Sequence, residues 1–195
     1  MIALIDYDAG NIRSVGNALS RLGAEFELTA SPERILSASK VILPGVGNAA
    51  EAMENLRERG LCEVIRSLRV PVLGICVGLQ VLCRGSEEGP TEGLSIFDTR
   101  VRRFPTGNDA KVPHMGWNSI GNLESKLFKD LSGGSFVYFV HSYYPELCPD
   151  TIATCRHGDT LFSAALRWEN FYGTQFHPEK SGEMGAAILK NFLTL

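Results

Sequence analysis

The chain has 195 residues, 44% of them hydrophobic and 21% charged, with a formal net charge of −3. That is enough chain for one sizeable buried core, with no basic excess to suit nucleic acid and no block of like charge to make a disordered tail. No apolar run approaches the ~20 residues that cross a bilayer, the opening Met-Ile-Ala-Leu-Ile-Asp makes a poor signal peptide, and five cysteines without a CxxC pair argue against a disulfide framework or a metal site. Reduced thiols in a cytoplasmic protein fit best.

Along the chain, Ile2–Ile5 reads as a strand. It is followed by an Asn-containing turn and a helix with Ile12, Val15, Leu19 and Leu22 on one face, closed by Gly23. Phe26–Leu28 and Val41–Leu43 read as further strands, with a Pro-started helix at Pro32–Ala38 between them. Ala49–Arg59 and Leu61–Leu68 read as helices and Val72–Ile75 as a buried strand. This βαβα rhythm predicts a three-layer α/β fold, with a central, mostly parallel sheet covered by helices on both faces. The second half changes to strands joined by turns: Leu94–Phe104, Phe136–His141, Ile152–Arg156, Leu161–Arg167 and Phe171–Phe176, some of them antiparallel. Gly158-Asp159 and Glu169-Asn170 read as hairpin turns, Gly182–Leu193 as a last helix, and 105–126 carries no clear element. With no repeat, linker or low-complexity tract, residues 1–195 read as one domain.

Val72-Leu-Gly-Ile-Cys-Val-Gly-Leu-Gln80 is an apolar run that stops at a cysteine with glycines two residues to either side. It is the sulfur counterpart of the Gly-x-Ser-x-Gly nucleophile elbow, where a strand turns sharply into a helix and lifts one side chain clear. Gly74 and Gly78 are where a Cβ would collide with the neighbouring strand and helix. Cys76 then sits at a helix N-terminus, whose amides favour a thiolate. The ordinary alternative is a buried strand ending in an inert core cysteine.

A thiol nucleophile needs a base, and the base needs a group to orient it. Of the four histidines, His177 ends an apolar strand in Gly-Thr-Gln-Phe-His-Pro-Glu, and in extended backbone Glu179 points to the same side. His157, in an Arg-His-Gly-Asp turn, reads as structural. Acyl transfer also needs amides aimed at the oxyanion. The elbow supplies Val77 N–H, and Leu43-Pro-Gly-Val-Gly47 is an unobstructed turn for a second. Gly45-Val-Gly47-Asn-Ala-Ala50 also fits a loose dinucleotide-binding pattern, against which stand Pro44, its place after a third strand and the missing ribose-binding acid.

The cysteine elbow with its distant His-Pro-Glu resembles the class I, triad-type glutamine amidotransferases. Further motifs are similar to the branch whose glutaminase subunit serves a separate cyclase in histidine biosynthesis: Asp6-Tyr7-x-x-Gly10-Asn11, Pro44-Gly-Val-Gly47, Val112-Pro-His-Met-Gly-Trp-Asn118, Tyr138-Phe-Val-His-Ser-Tyr143 and His177-Pro-Glu-Lys-Ser181. The resemblance implies that Cys76 is the nucleophile, His177 the base and acid, and Glu179 its orienting group. Val77 and the Gly45–Val46 peptide, through Val46 N–H, would form the oxyanion hole. Gly47, Gln80, Ser142 and Tyr143 would hold the α-amino and α-carboxylate groups of L-glutamine. Asn11, Met115, Trp117, Tyr138 and Lys180 would face the partner, a (β/α)8-barrel cyclase in a heterodimer. No cofactor, nucleic acid or membrane is implied. Taken by themselves, Trp117 and Tyr138 read equally as core residues and Lys180 as a solvated charge. Asp8 departs from the branch, which usually has Gly there. A related amidotransferase for another synthase, a free-standing cysteine peptidase or amidase, and a non-catalytic binding module are the competing readings.

Overall fold

The computed structural model describes residues 1–8, 10–106 and 111–195; residues 107–110, within the stretch that carries no clear element in the sequence, lie outside the described residues. The strands are β1 (Ile2–Ile5), β2 (Phe26–Thr29), β3 (Lys40–Leu43), β4 (Val72–Ile75), β5 (Cys83–Ser86), β6 (Thr91–Glu92), β7 (Phe97–Arg103), β8 (His114–Gly121), β9 (Ser135–His141), β10 (Tyr143–Pro145), β11 (Thr151–His157), β12 (Thr160–Trp168) and β13 (Phe171–Thr174). The helices are α1 (Ile12–Arg21), α2 (Pro32–Leu36), α3 (Ala49–Glu58), α4 (Leu61–Ser67), α5 (Val77–Leu82) and α6 (Gly182–Leu193), with short 3-10 turns at Lys126–Phe128 and Pro178–Lys180.

A nine-stranded sheet runs β2-β1-β3-β4-β13-β12-β11-β8-β9. Its first five strands are parallel, and every pairing from β13 onward is antiparallel. The inner parallel strands β1, β4 and β13 have no exposed residue, which is why they read as continuous apolar runs. The crossover from β1 to β2 moves one way along the sheet and those from β2 to β3 and from β3 to β4 move the other way. Right-handed crossovers therefore place α1 on one face and α2, α3 and α4 on the other. In keeping with this, α2 packs on α4 and α3 on both α4 and α5, while α1 and α6 meet at the 178–180 turn. The expected α/β layering holds, and a single hydrophobic cluster runs through it.

Two features were not foreseen. Strand β8 occupies much of 105–126; its alternation is obscured because Met115 and Trp117 face outward where polar residues would be expected. A second, four-stranded sheet, β10-β7-β5-β6, is assembled from pieces mostly two to four residues long, too short for a period-2 signal. Both expected hairpin turns join the strands they were placed between, at 158–159 and 169–170. The C-terminal ends of β3, β4 and β13 lie side by side, with Leu43 opposite Gly74 and Ile75 opposite Thr174. The segments leaving those three strands carry the residues of interest, at the edge where parallel sheets present their sites.

Candidate active site

Cys76 follows β4 immediately and has φ 54° and ψ −108°, a backbone region that L-residues rarely enter. It is held there by its own N–H, which donates to Thr174 O at 2.8 Å, and by the close approach of α5 to β3. A Cβ on Gly78 would lie 1.9 Å from Leu43 O, and one on Gly74 would lie 2.7 Å from Gly78 O. Both elbow glycines are therefore required by space, as the sequence suggested.

His177 leaves the neighbouring strand β13. Its N–H donates to Tyr138 O at 2.9 Å, and Ser181 ties the same loop down, donating to His177 O at 2.6 Å and accepting from Tyr138 N at 2.9 Å. The imidazole Nδ1 meets Glu179 Oε1 at 2.7 Å, with both side chains fully buried. Burial opposes a charge on this ring, but the Cys76 thiol and the Glu179 carboxylate outweigh it and push the pKa up to about 10. With Nδ1 taken, the buried Nε2, which has no hydrogen-bond partner among the described residues, is the nitrogen left for Cys76. Asn11, expected at the partner face, also donates to Glu179 Oε1, so the loop after β1 touches the His177–Glu179 pair directly.

Cys76 opens into a cleft of about 270 Å³ that also takes in Val46, Gly47, Val77, Gln80, Ser142 and Tyr143, the full set expected around a bound glutamine. Glu88 lines it too and was not anticipated. It lies in the Ser-Glu-Glu-Gly-Pro turn between β5 and β6, which reads as solvated surface. Burial raises its pKa, and one oxygen accepts Ala49 N–H at 2.8 Å. Gln80 is less free than expected, because its Nε2 is engaged by Tyr143 O and Gln175 Oε1, both at 3.1 Å.

The two expected oxyanion donors are not aligned in this conformation. Val77 N–H donates to Gly45 O at 3.3 Å, so the Gly45–Val46 peptide turns its carbonyl toward that amide and its N–H away. Gly45 lies against the elbow: a Cβ there would meet Gly78 N at 2.6 Å. Below the turn, the buried Tyr7 hydroxyl donates to Pro44 O, and burial, reinforced by the Cys76 thiol, keeps that phenol protonated. The dinucleotide reading of Gly45–Ala50 fails here. The amides opening α3 are taken by Asn48 Oδ1, which accepts from Ala50 and Glu51, and by Glu88, whose carboxylate would repel a phosphate.

Met115 and Trp117 are 62% and 56% exposed, and Phe136, which sequence reasoning passed over, is 58% exposed. They share one face of β8 and β9 with Tyr138, whose ring meets Trp117 edge-on at 6.1 Å, and Lys180 is exposed on the adjoining turn. Met115, Trp117, Tyr138 and Lys180, four of the five residues expected at a partner face, are thus gathered beside the His177–Glu179 pair. Asp8 has φ 62° and pairs with Arg59 at the end of α3.

Residues 3–195 match the family described as glutamine amidotransferase class-I. Among curated proteins, the chain is 54% identical to the imidazole glycerol phosphate synthase subunit HisH of Bacteroides thetaiotaomicron, covering 100% of this chain and 99% of the relative. It is 48% identical to the HisH of Methanosarcina acetivorans, covering 100% and 98%. A crystal structure of a glutamine amidotransferase superposes with a TM-score of 0.76 at 20% identity, covering 100% of this chain and 98% of that one. A further glutamine amidotransferase, from Thermotoga maritima, gives 0.62 at 18% identity, covering 99% and 82%. At such identities those two superpositions speak for the fold alone. The elbow, the His-Glu pair and the cleft thus sit in a chain that belongs to the class-I glutamine amidotransferase family, in the branch of the imidazole glycerol phosphate synthase subunits HisH.

Proposed function

We propose that the chain, acting as one domain, hydrolyses L-glutamine to glutamate and ammonia through a thioester on Cys76. The ammonia passes to a cyclase subunit, a (β/α)8 barrel in a heterodimer, that forms imidazole glycerol phosphate and aminoimidazole carboxamide ribotide in histidine biosynthesis. One observation carries the reading: a strained elbow cysteine lines a cleft sized for an amino acid, and behind it lies a buried, carboxylate-held histidine whose charge the cysteine favours.

Cys76 gives its proton to His177 Nε2, and the sulfur attacks the side-chain amide carbon of glutamine. As the C–N bond breaks, the imidazolium returns the proton to the departing ammonia, leaving a γ-glutamyl thioester. Neutral His177 then takes a proton from water, the hydroxide attacks the thioester, and the C–S bond breaks to release glutamate. Glu179 keeps the ring in the tautomer with Nδ1 protonated and stabilises the imidazolium. Glu88, the carboxylate in the cleft, takes the α-ammonium group; Gly47, Ser142 and Tyr143 hold the α-carboxylate end, leaving Gln80 Oε1 to accept from the ligand.

The oxyanion needs Val77 N–H, and Gly45 O holds it. A flip of the Gly45–Val46 peptide frees that amide and turns Val46 N–H inward, completing the hole. Losing one such donor costs about 100- to 1000-fold in rate, so the isolated chain is a poor glutaminase and partner docking activates it. Met115, Trp117, Tyr138, Lys180 and Asn11 form the docking face through which ammonia leaves, and Phe136 extends it. This arrangement speaks against a free-standing amidase, which would have no use for a capped oxyanion donor.

The test is Cys76→Ala in the assembled complex. Glutamine-dependent synthesis should vanish, and synthesis from added ammonia should continue. Loss of both with the complex intact would refute the division of labour, and equal glutamine hydrolysis by the free chain and by the liganded complex would refute the activation.

A further inference from the structure

Gln175 lies two residues before His177, is fully buried, and had no part in the sequence reading. Its Nε2 stands 3.6 Å from Cys76 Sγ. Which end of an amide faces a sulfur is settled by the neighbours' donor and acceptor inventory. Tyr143 O can only accept, and it receives Gln80 Nε2 at 3.1 Å. Gln80 Nε2 spends its second hydrogen on Gln175 Oε1, also at 3.1 Å. A flipped Gln175 would set two NH2 groups against each other. Its oxygen therefore faces Gln80 and its nitrogen faces the sulfur.

The other end of this chain is fixed just as firmly. Tyr143 O also accepts His141 Nδ1 at 2.7 Å, so the proton of His141 sits on Nδ1 and its Nε2 accepts from His114 Nδ1 at 2.9 Å. His114 Nε2 in turn accepts from Asn118 Nδ2 at 3.1 Å, whose other hydrogen goes to Arg156 O at 2.9 Å. Each ring has one donor and one acceptor role and so is neutral. Burial keeps both neutral, holding the pKa of His141 down to about 3 and that of His114 down to about 4.

We infer that Gln175 is a positioning residue for the glutaminase reaction: it donates a hydrogen bond to Cys76 Sγ that favours the anionic sulfur. The Asn118–His114–His141–Tyr143 chain, acting through Gln80, holds its amide in that sense. The inference rests on the reading of Cys76 as nucleophile and adds a donor to it. The thiolate gains a neutral hydrogen-bonding neighbour that does not move when His177 gives up its proton.

The experiment uses the full chain with its cyclase and two variants. Gln175→Met removes the donor at similar length, and Gln175→Glu keeps the shape while replacing the donor by a carboxyl group. The titratable groups that face the sulfur, His177 and Tyr7, are left in place. Both variants should retain ammonia-dependent synthesis, lose about tenfold in glutamine kcat, and keep KM within about twofold, as expected for one hydrogen bond to a charged group. The pH profile of Cys76 alkylation by iodoacetamide, followed on the Cys76 peptide, should move to higher pH. An unchanged alkylation profile in either folded variant, even with a lowered melting temperature, overturns the inference, because a merely structural role would move stability alone. Cys76→Ala run alongside separates the two levels. Glutamine turnover surviving in Cys76→Ala removes the nucleophile reading, whereas a dead Cys76→Ala beside Gln175 variants that behave as wild type removes only the role of Gln175.

Discussion

Gly78→Ala tests whether the elbow is positioned by close backbone approach. The added Cβ would lie 1.9 Å from Leu43 O and 2.9 Å from Leu43 C, both backbone atoms that no rotamer change can move aside. Restoring ordinary contact near 3.4 Å requires α5 to retreat from β3 by about 1.5 Å. Overpacking of this kind costs about 1–3 kcal/mol, which in a chain of this size lowers Tm by roughly 3–10 °C. The larger effect falls on catalysis, since Val77 and Cys76 start the helix that must move. A misplacement near 1 Å costs about 100-fold. The assay pairs a thermal melt with glutamine- and ammonia-dependent synthesis by the complex, and only the glutamine arm should collapse. Gly60→Ala is the control: its φ of +65° strains any other residue, yet nothing lies within 4 Å of the new Cβ and it does not line the cleft. It should lose about 1–2 kcal/mol of stability and keep glutamine turnover. If Gly78→Ala behaves like Gly60→Ala, close approach is not what holds Cys76 in place.

Three other outcomes follow from the site. Glu88→Gln should raise KM for glutamine by about 10- to 100-fold, the worth of a charge-assisted hydrogen bond, and an analogue without the α-amino group should bind both proteins equally; equal loss for the two ligands would refute the α-ammonium assignment. Glu179→Gln should be less stable than wild type near pH 6.5. Because the Cys76 thiol and Glu179 raise the pKa of His177 against burial to about 10, above its unfolded value of about 6.5, the charged ring stabilises the fold fully below that lower value and the benefit fades as pH climbs toward 10. Melts from pH 6 to 10 should therefore show the gap between the two proteins closing, and a flat gap would sink the argument. Trp117→Arg should weaken cyclase binding by at least about tenfold in calorimetric titration, as for an exposed aromatic anchor, with the melting temperature of the free chain little changed.

Much of this site is legible in the residues alone. The elbow can be read because two glycines at fixed offsets from a cysteine have a steric cause. The His177–Glu179 pair can be read because i and i+2 share a side in extended chain. What escapes depends on contacts between distant segments. Glu88 looks like surface in its turn, and only its bond to Ala49, 39 residues away, draws it into the cleft. Gln175 passes for a strand residue, although a polar side chain within an apolar run beside a candidate base is a signal that a buried partner must exist; that partner, Gln80, is 95 residues distant. The resting orientation of the Gly45–Val46 peptide is not written in the sequence at all, since a glycine leaves both orientations open and only Val77 N–H selects one.

Strand β9 ends the nine-stranded sheet, and a sheet edge normally offers bare amides and carbonyls to any passing strand. Here the midpoint of that edge is already spoken for: Tyr138 O receives His177 N–H, and Tyr138 N–H is given to Ser181 Oγ. The segment that carries His177 is thus also the guard of an aggregation-prone border. A substitution such as Ser181→Ala would loosen the imidazole and uncover the border at once. Solubility and turnover then weigh on the same few residues, so a variant rescued for expression could regain its activity without any change to the catalytic groups.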